Sequence, residues 1–363
     1  MARYRSLRDF DWPLLILTLI LCAVGVLQIY SATHDTGWRD AWWKQLLAVG
    51  LGLILFYVIS SLDYHTLLGQ VPVMYAVSVL VLGAVLVAGK TVFGGRRWIP
   101  LFGGFHLQMS EFVKIVIVLL VARYLTELKS ERPEWRDLLK LGGLVGLPLT
   151  LVLRQPDLGT SLTYIPALAA GLFLAGIRWQ HALAIVLVAV LVLPVGYYFL
   201  KDYQKARLLS FLDPGRDPRG SGYQVIQSKI AIGSGGLWGM GVTRGLQTQL
   251  RFLPVPHTDF IFSAFAEEHG FVGVVVILGL YFLLLMQLIQ NAQMAPDRAG
   301  MYICMGVAAV FLFHVLVNVG MVVGRMPVTG IPLPLMTSGG SNVLSTFLML
   351  GLVNNVRLRR FVN

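Results

Sequence analysis

Charge and cysteine are what this 363-residue chain has little of: 13% of it is Asp, Glu, Lys or Arg, and it has 2 cysteines. That charged share is about half the usual for soluble domains. With 56% hydrophobic residues and a mean hydropathy of +0.72, it excludes a compact soluble enzyme domain. Cys22 and Cys304 both fall inside apolar runs, where thiols behave as small hydrophobes, so they report neither a disulfide framework nor a redox compartment. No Gly-rich strand-turn-helix fingerprint, P-loop or H-E-x-x-H motif occurs, which removes nucleotide and zinc-hydrolase chemistry of those types. A net charge of +11 would suit nucleic acid in a soluble chain. Here no basic block alternates with aromatics, and positive charge on a membrane protein collects at lipid headgroups, so nucleic acid is not an expected partner.

What the chain has in abundance is apolar runs long enough to cross a bilayer. They fall at 12–32, 42–61, 70–89, 110–126, 138–153, 159–176, 180–200, 261–290, 299–323 and 340–356. The pattern predicts an all-α polytopic membrane protein of about ten transmembrane helices, forming one integral domain over residues 1–363. The first run follows Arg3, Arg5 and Arg8 like a signal peptide, but it is long, lacks an A-x-A cleavage site and leads into further spans. It reads as an uncleaved first helix. An even number of spans puts both termini on one side. Lys and Arg in the short loops, Arg123, Lys129, Arg132, Arg136 and Arg357 among them, make that side the cytoplasmic one. Residues 201–260 break the rule of short connections and predict a large extracytoplasmic loop between helices 7 and 8. Within it, Tyr223 to Ile232 has apolar residues at helical spacing, flanked by Asp-Pro turns at Asp213 and Asp217 and by glycines. It predicts a short amphipathic helix at the membrane interface; no strand pattern is evident.

Four segments on the predicted outer side hold polar groups that membrane packing does not easily absorb. In residues 94–115, Ser110 is a candidate N-cap, and Glu111 and Lys114 share a helix face at i and i+3. They either neutralise each other at the membrane edge or serve a function, the default reading for ionisable groups inside a span. Arg96, Arg97 and Trp98 fit interfacial anchoring equally well. In 154–162, Asp157 is either a helix cap or a functional carboxylate. In 252–270, two prolines deliver His257, Thr258 and Asp259 to the mouth of the eighth helix. Asp259 is followed at once by Phe260, Ile261 and Phe262. An apolar wall disfavours the charged carboxylate and raises its pKa, which suits a general base, although a helix cap remains the plainer alternative. Glu267 and Glu268 lie about two turns further in, where at least one must face a cavity or a partner. In 324–342, prolines and a Ser-Gly-Gly-Ser turn imply irregular backbone lining a cavity. Backbone N–H groups from Ser338 to Ser341 would suit a phosphate oxygen, or the glycines only permit close packing. The cations Arg96, Arg97, Lys114, Arg154 and Arg325 gather on this outer side against the positive-inside tendency. They favour an anionic ligand, such as an amphiphile with a lipid tail and a phosphorylated head.

These segments resemble a known family. GGRRWI, SEFVK, QPDLGTSL, LDPGRDPRGSGYQVIQSKIAIGSGGLWG, FLPVPHTDFIFSAFAEEHGFVG and PVTGIPLPLMTSGGSN are similar to the SEDS (shape, elongation, division, sporulation) membrane proteins over essentially the whole chain. PVTG at 327–330 and the short N-terminal tail resemble its elongation-type members. The resemblance implies a ten-helix peptidoglycan glycosyltransferase. It would polymerise lipid II, with a lipid-linked glycan strand as the other substrate, into β-1,4-linked glycan outside the plasma membrane. Implied partners are a class B penicillin-binding protein that crosslinks the product and other elongation-complex membrane proteins. The family's catalytic carboxylate falls on Asp259, and its important charged groups on Arg97, Glu111, Lys114 and Asp157. Trp98, His257, Thr258, Ser338 and Ser341 complete the expected substrate-binding set. No cofactor is required by the residues, and a divalent cation such as Mg2+ is left open. Met109 stands where the family usually has Pro, and Thr337 to Ser341 lacks the usual aromatic of that turn. Asp259 as general base and inversion at the anomeric carbon are the physical hypothesis for mechanism. A flippase or transporter of a lipid-linked precursor, and a non-catalytic scaffold for a penicillin-binding protein, are the alternatives. The lack of internal symmetry, and charges that stop near the outer face, count against a transporter.

Overall fold

The computed structural model describes residues 9–88, 90–92, 95–100, 106–199, 202–218, 220 and 222–360. The arginines before residue 9 lie outside that range. In chain order the elements are α1 (Trp12–Thr33), α2 (Ala41–Ser61), α3 (Tyr64–Ala88), β1 (Lys90–Val92), β2 (Gly95–Pro100), β3 (His106–Leu107), α4 (Met109–Thr126), α5 (Trp135–Arg154), α6 (Leu158–Leu162), α7 (Tyr164–Leu174), α8 (Trp179–Phe199), α9 (Asp202–Leu212), α10 (Tyr223–Ser234), α11 (Leu246–Gln249), α12 (Ile261–Gln293), α13 (Arg298–Val322) and α14 (Gly340–Leu358). Six of these, α1, α2, α3, α8, α12 and α13, are long and apolar enough to cross a membrane. The protein is a mostly helical, polytopic membrane protein.

Helix starts follow from side chains written in the sequence. Asp11 accepts from Leu14 N at 3.2 Å with Pro13 in the first turn, and Asp297 accepts from Gly300 N at 2.7 Å. Glu134 and Asp137 form a reciprocal capping box on α5. The middle of the bundle is α4, α13 and α14, whose apolar residues are buried nearly all round, while α8 turns most of its side chains outward. Small residues let these helices meet: a Cβ on Gly52 of α2 would stand 2.5 Å from the Phe347 ring of α14. α12 is two helices joined at Gly270, whose φ of 65° is left-handed. A Cβ there would also fall 2.3 Å from Gly239 N, so only glycine lets the 235–241 loop dock against this kink.

Three features differ from the sequence expectation. The sixth run is broken into α6 and α7 at Thr163. Between α3 and α4 a small antiparallel sheet in the order β1-β2-β3 stands where the expected architecture was all-α. It pairs Lys90 with Trp98 and Ile99 with Leu107. Strands this short carry too few residues for an alternation to be visible. The interval from 201 to 260 does contain the expected helix, as α10. That helix docks on the bundle: Ser228 Oγ lies 2.7 Å from Ser263 Oγ and donates to Val322 O at 2.7 Å.

Candidate active site

The polar cluster lies at the bundle end where α4, α6, α12 and α14 begin. Gln108, not Ser110, is the residue preceding α4, and the Ser110 hydroxyl is buried without a partner. Gln108 holds three elements together. Its backbone N donates to Ser341 Oγ at 2.9 Å, and its Nε2 donates to Asp157 Oδ2 at 2.6 Å and to Thr160 Oγ1 at 3.3 Å. Asp157 takes the cap role and meets a cation with the same oxygen. One oxygen caps α6 by accepting from Thr160 N at 3.1 Å and also lies 3.4 Å from Arg97 Nη1. Arg97 and Trp98 reach this point from β2, and their Nε and Nε1 atoms are buried without partners. Unsatisfied donors of this kind are costly away from water and are met where a ligand or ordered water completes the site.

One turn into α4, Lys114 Nζ lies 2.7 Å from Glu111 Oε2, with both side chains almost fully buried. Ser345 Oγ donates to the same carboxylate oxygen at 3.3 Å. A pair this deeply buried is tolerated only when its remaining hydrogen-bonding capacity is used.

Asp259 precedes α12, but Phe260 occupies the cap position, so the Asp259 carboxylate is not spent on the helix. It is half-buried, close to the backbone of Gly330, where φ is 74° and a Cβ would stand 3.5 Å from Asp259 Oδ2. Asn318 fixes the main chain here, donating from Nδ2 to Asp259 O at 3.2 Å and to Ile331 O at 2.8 Å. Burial pushes the Asp259 carboxyl above its ordinary range. The Arg207 and Arg97 guanidiniums pull it partly back and the Asp157 carboxylate pushes it up again. The 327–331 segment is pressed against α6, since a Cβ on Gly159 would stand 2.6 Å from Thr329 O. This contact brings Asp157 and Asp259 into one neighbourhood.

His257 is buried, its ring 5.5 Å from that of Trp38, and burial pushes its pKa down to about 4. At neutral pH it is uncharged. Thr258 Oγ1 donates to Val255 O at 3.4 Å. In the Ser338 turn two of the N–H groups expected for a phosphate oxygen have partners within the protein. Ser338 N donates to His257 O at 3.0 Å and Gly339 N to Gln45 Oε1 at 3.2 Å, while Ser341 Oγ donates to His106 O at 3.2 Å. Those groups tie α2, β3 and the 257 loop together, so the two N–H groups are not free for an anion. Glu267 and Glu268 are both fully buried, and each faces partners. Glu267 accepts from the N–H groups of Gln247 and Thr248 and from Thr248 Oγ1, and Glu268 accepts from Gln28 and Ser31. Arg154 and Arg325 are exposed, and the Arg96 side chain lies outside the described set.

Sequence reasoning passed over Gln108, Arg207, His314 and Asn318. His314 and Asn318 stand at i and i+4 in an apolar helix, and that spacing of two polar residues was the available signal. Arg207 sits in α9 and donates to Val328 O at 3.2 Å; nothing local distinguishes it from the other basic residues of its loop. Among the described residues no group of three or more His, Cys, Asp or Glu is arranged to hold a metal ion.

Comparison with known proteins places this geometry in context. The chain is 34% identical to the peptidoglycan glycosyltransferase RodA of Treponema pallidum, covering 99% of this chain and 100% of that one. It is 38% identical to the peptidoglycan glycosyltransferase MrdB of Escherichia coli strain K12, covering 96% and 94%. Among solved structures it is similar to a chain from a peptidoglycan synthase complex that coordinates polymerization and crosslinking, with a TM-score of 0.84 and 37% identity over 98% and 99% of the two chains. The rod shape determining protein RodA of Thermus thermophilus matches with a TM-score of 0.72 and 31% identity over 97% and 98%. The FtsW/RodA/SpoVE family model, described as cell cycle protein, matches residues 12–360, and the chain belongs to that family.

Proposed function

We propose that the protein is a peptidoglycan glycosyltransferase of RodA type, polymerising lipid II into β-1,4-linked glycan on the outer face of the plasma membrane during elongation. In this reading ten helices span the bilayer, both termini are cytoplasmic, and the 201–260 loop and the active site are extracytoplasmic. The observation that carries it is Asp259: a half-buried carboxylate left free by the helix it precedes, with its pKa raised, in the field of Arg97 and Arg207. A general base needs that combination of reach and basicity. The names of the full-length relatives supply the reaction class.

Asp259 takes the proton of the acceptor sugar's 4-hydroxyl as that oxygen attacks the anomeric carbon of the donor. The bond from that carbon to the diphosphate oxygen breaks, and the lipid diphosphate leaves with the electron pair. One direct displacement inverts an α-linked donor to a β-linked product without a covalent enzyme intermediate, so one essential carboxylate suffices. Arg97, Arg207 and Lys114 supply the cationic environment for the departing diphosphate. A class B penicillin-binding protein as crosslinking partner is supported by the synthase complex to which one structural relative belongs.

The test is polymerisation of purified lipid II by the solubilised full chain, alone and with its class B partner, for wild type and Asp259→Asn. Loss of about two to four orders of magnitude in rate, with folding and partner binding retained, is expected. Polymer from the variant at the wild-type rate would remove Asp259 from the chemistry. No polymer from wild type even with the partner would return the transporter reading.

A further inference from the structure

Besides His257, the mechanism leaves a second buried imidazole of the site without a role. His314, on the third turn of α13 from its end, is nearly inaccessible. Its Nδ1 lies 2.9 Å from Pro332 O and its Nε2 lies 3.4 Å from Lys114 Nζ. The two distances assign the proton. A carbonyl oxygen only accepts, so Nδ1 carries the hydrogen and donates it to Pro332. An ammonium only donates, so Nε2 presents its lone pair to Lys114. His314 is therefore a neutral wedge between α4 and the 327–337 segment, taking one of the three N–H groups of Lys114 while Glu111 takes a second.

The chemistry of the choice is informative. A second carboxylate at this position would hold Lys114 as firmly but would leave the Lys114 group with net negative charge, repelling an anionic ligand. A neutral acceptor orients the ammonium without cancelling any of its charge. The same ring pins Pro332, two residues past the Gly330 that underlies Asp259, so one side chain registers the cation against the loop beside the candidate base.

We propose that His314 is a positioning residue for glycosyl transfer, its neutral Nε2 orienting the Lys114 ammonium toward the diphosphate of the donor. The proposal rests on the glycosyltransferase reading given above. Two isosteric half-replacements separate its two contacts. In His314→Asn the amide nitrogen coincides with Nδ1 and keeps the bond to Pro332 while losing Lys114. In His314→Gln the amide oxygen reaches the place of Nε2 and keeps Lys114 while losing Pro332.

The experiment compares wild type, His314→Asn and His314→Gln as full chains with the class B partner. Lipid II polymerisation gives kcat and KM, titration with undecaprenyl diphosphate gives Kd, and thermal unfolding gives Tm. The Gln variant should polymerise within about threefold of wild type. The Asn variant should lose about tenfold to a hundredfold in kcat/KM and bind the diphosphate correspondingly more weakly, the scale of a lost hydrogen bond to a charged group. Stability should run the other way, with Asn at least as stable as Gln because it keeps the Pro332 anchor. A purely structural role predicts that activity follows Tm. Equal activity of the two variants, or Asn the more active, overturns the proposal. Should wild type fail to polymerise, the glycosyltransferase reading fails by itself, and the diphosphate titration still decides whether His314 acts through Lys114: a Kd weakened in Asn but not in Gln supports it, and equal Kd values sink it.

Discussion

The two ends of the bundle treat their carboxylates in opposite ways. At the end where α3 and α13 begin, Asp297 caps α13 and accepts from Tyr64 Oη at 2.9 Å, with His65 Nε2 at 2.7 Å. Asp63 is bonded to the His65 backbone and ring, with Arg359 Nε at 3.4 Å. Burial alone would raise both acids, but these bonds and charges outweigh it, and both are held below the ordinary carboxylate range. Deep in the same end, Asp11 caps α1 and also accepts from Gln287 and Asn291. At the opposite end Asp259 is pushed up, not down, and buried polar atoms of Arg97, Trp98, Ser110, Thr329 and Asn342 lack partners. A fold maximising its own stability would satisfy these groups as it satisfies Asp11 and Asp297. Arg357 Nε and His181 Nδ1 are unpartnered at the first end as well, so the contrast rests on the carboxylates: Asp63 and Asp297 are held down by built-in partners, while Asp259 is left raised, as at a site whose remaining partner arrives with the substrate.

The comparison is broken most directly at its extremes. Asp259→Asn should remove polymerisation while leaving Tm unchanged or raised. A carboxyl whose pKa is raised on folding disfavours the folded state as pH climbs through that value, and the amide carries no such burden. A fall in Tm matching the loss of rate would make Asp259 structural. Acidification should separate the two ends. Polymerisation falls as pH drops through the raised pKa of Asp259, because only the ionised base works. The stability supplied by Asp63 and Asp297 is fully present above their unfolded values and is lost only as pH falls through their depressed folded values. A range of acid pH should exist in which the protein is folded and inactive, seen by running rate and Tm on the same samples. Coincident loss of both would erase the distinction.

Lys114→Met leaves the buried Glu111 carboxylate without its cation and should cost about 3 to 5 kcal/mol of stability, read from denaturant unfolding. Adding Glu111→Gln should recover part of that cost while polymerisation stays low. Full recovery of rate by the double variant would reduce the pair to membrane packing. The smallest effect belongs to the satisfied end: Asp297→Ala should cost about 1 to 2 kcal/mol through loss of the α13 cap and its companion bonds. Rate per folded molecule should not change. A drop in that rate would mean the two ends are coupled.

Much of this architecture is legible without coordinates, for reasons that differ by residue. The long helices announce themselves because a span needs about twenty apolar residues in a row, a signal too strong for local detail to obscure. Asp157, Glu111, Lys114 and Asp259 stand out because charge at membrane depth is expensive and invites explanation. The sheet that carries Arg97 did not stand out, since strands of 2 to 6 residues show no period. Ser110 was a reasonable cap by residue type, yet Gln108 precedes the helix and uses its side chain to join Asp157.

By itself, then, the order of residues determines that this chain lives in a membrane, where its helices run and which charges cannot be idle. Those properties depend on near neighbours in sequence. Only the tertiary structure decides what each charge is for. It gives Glu267 to Gln247 and Thr248, Glu268 to Gln28 and Ser31 of α1, and spends the Ser338 and Gly339 N–H groups on His257 and Gln45. It also leaves Asp259 uncapped beneath Arg97 and Arg207, and brings His314 to Lys114 from 200 residues away. A side chain's role is set by the partners that reach it first, and in a folded bundle those partners come from helices far apart in the chain.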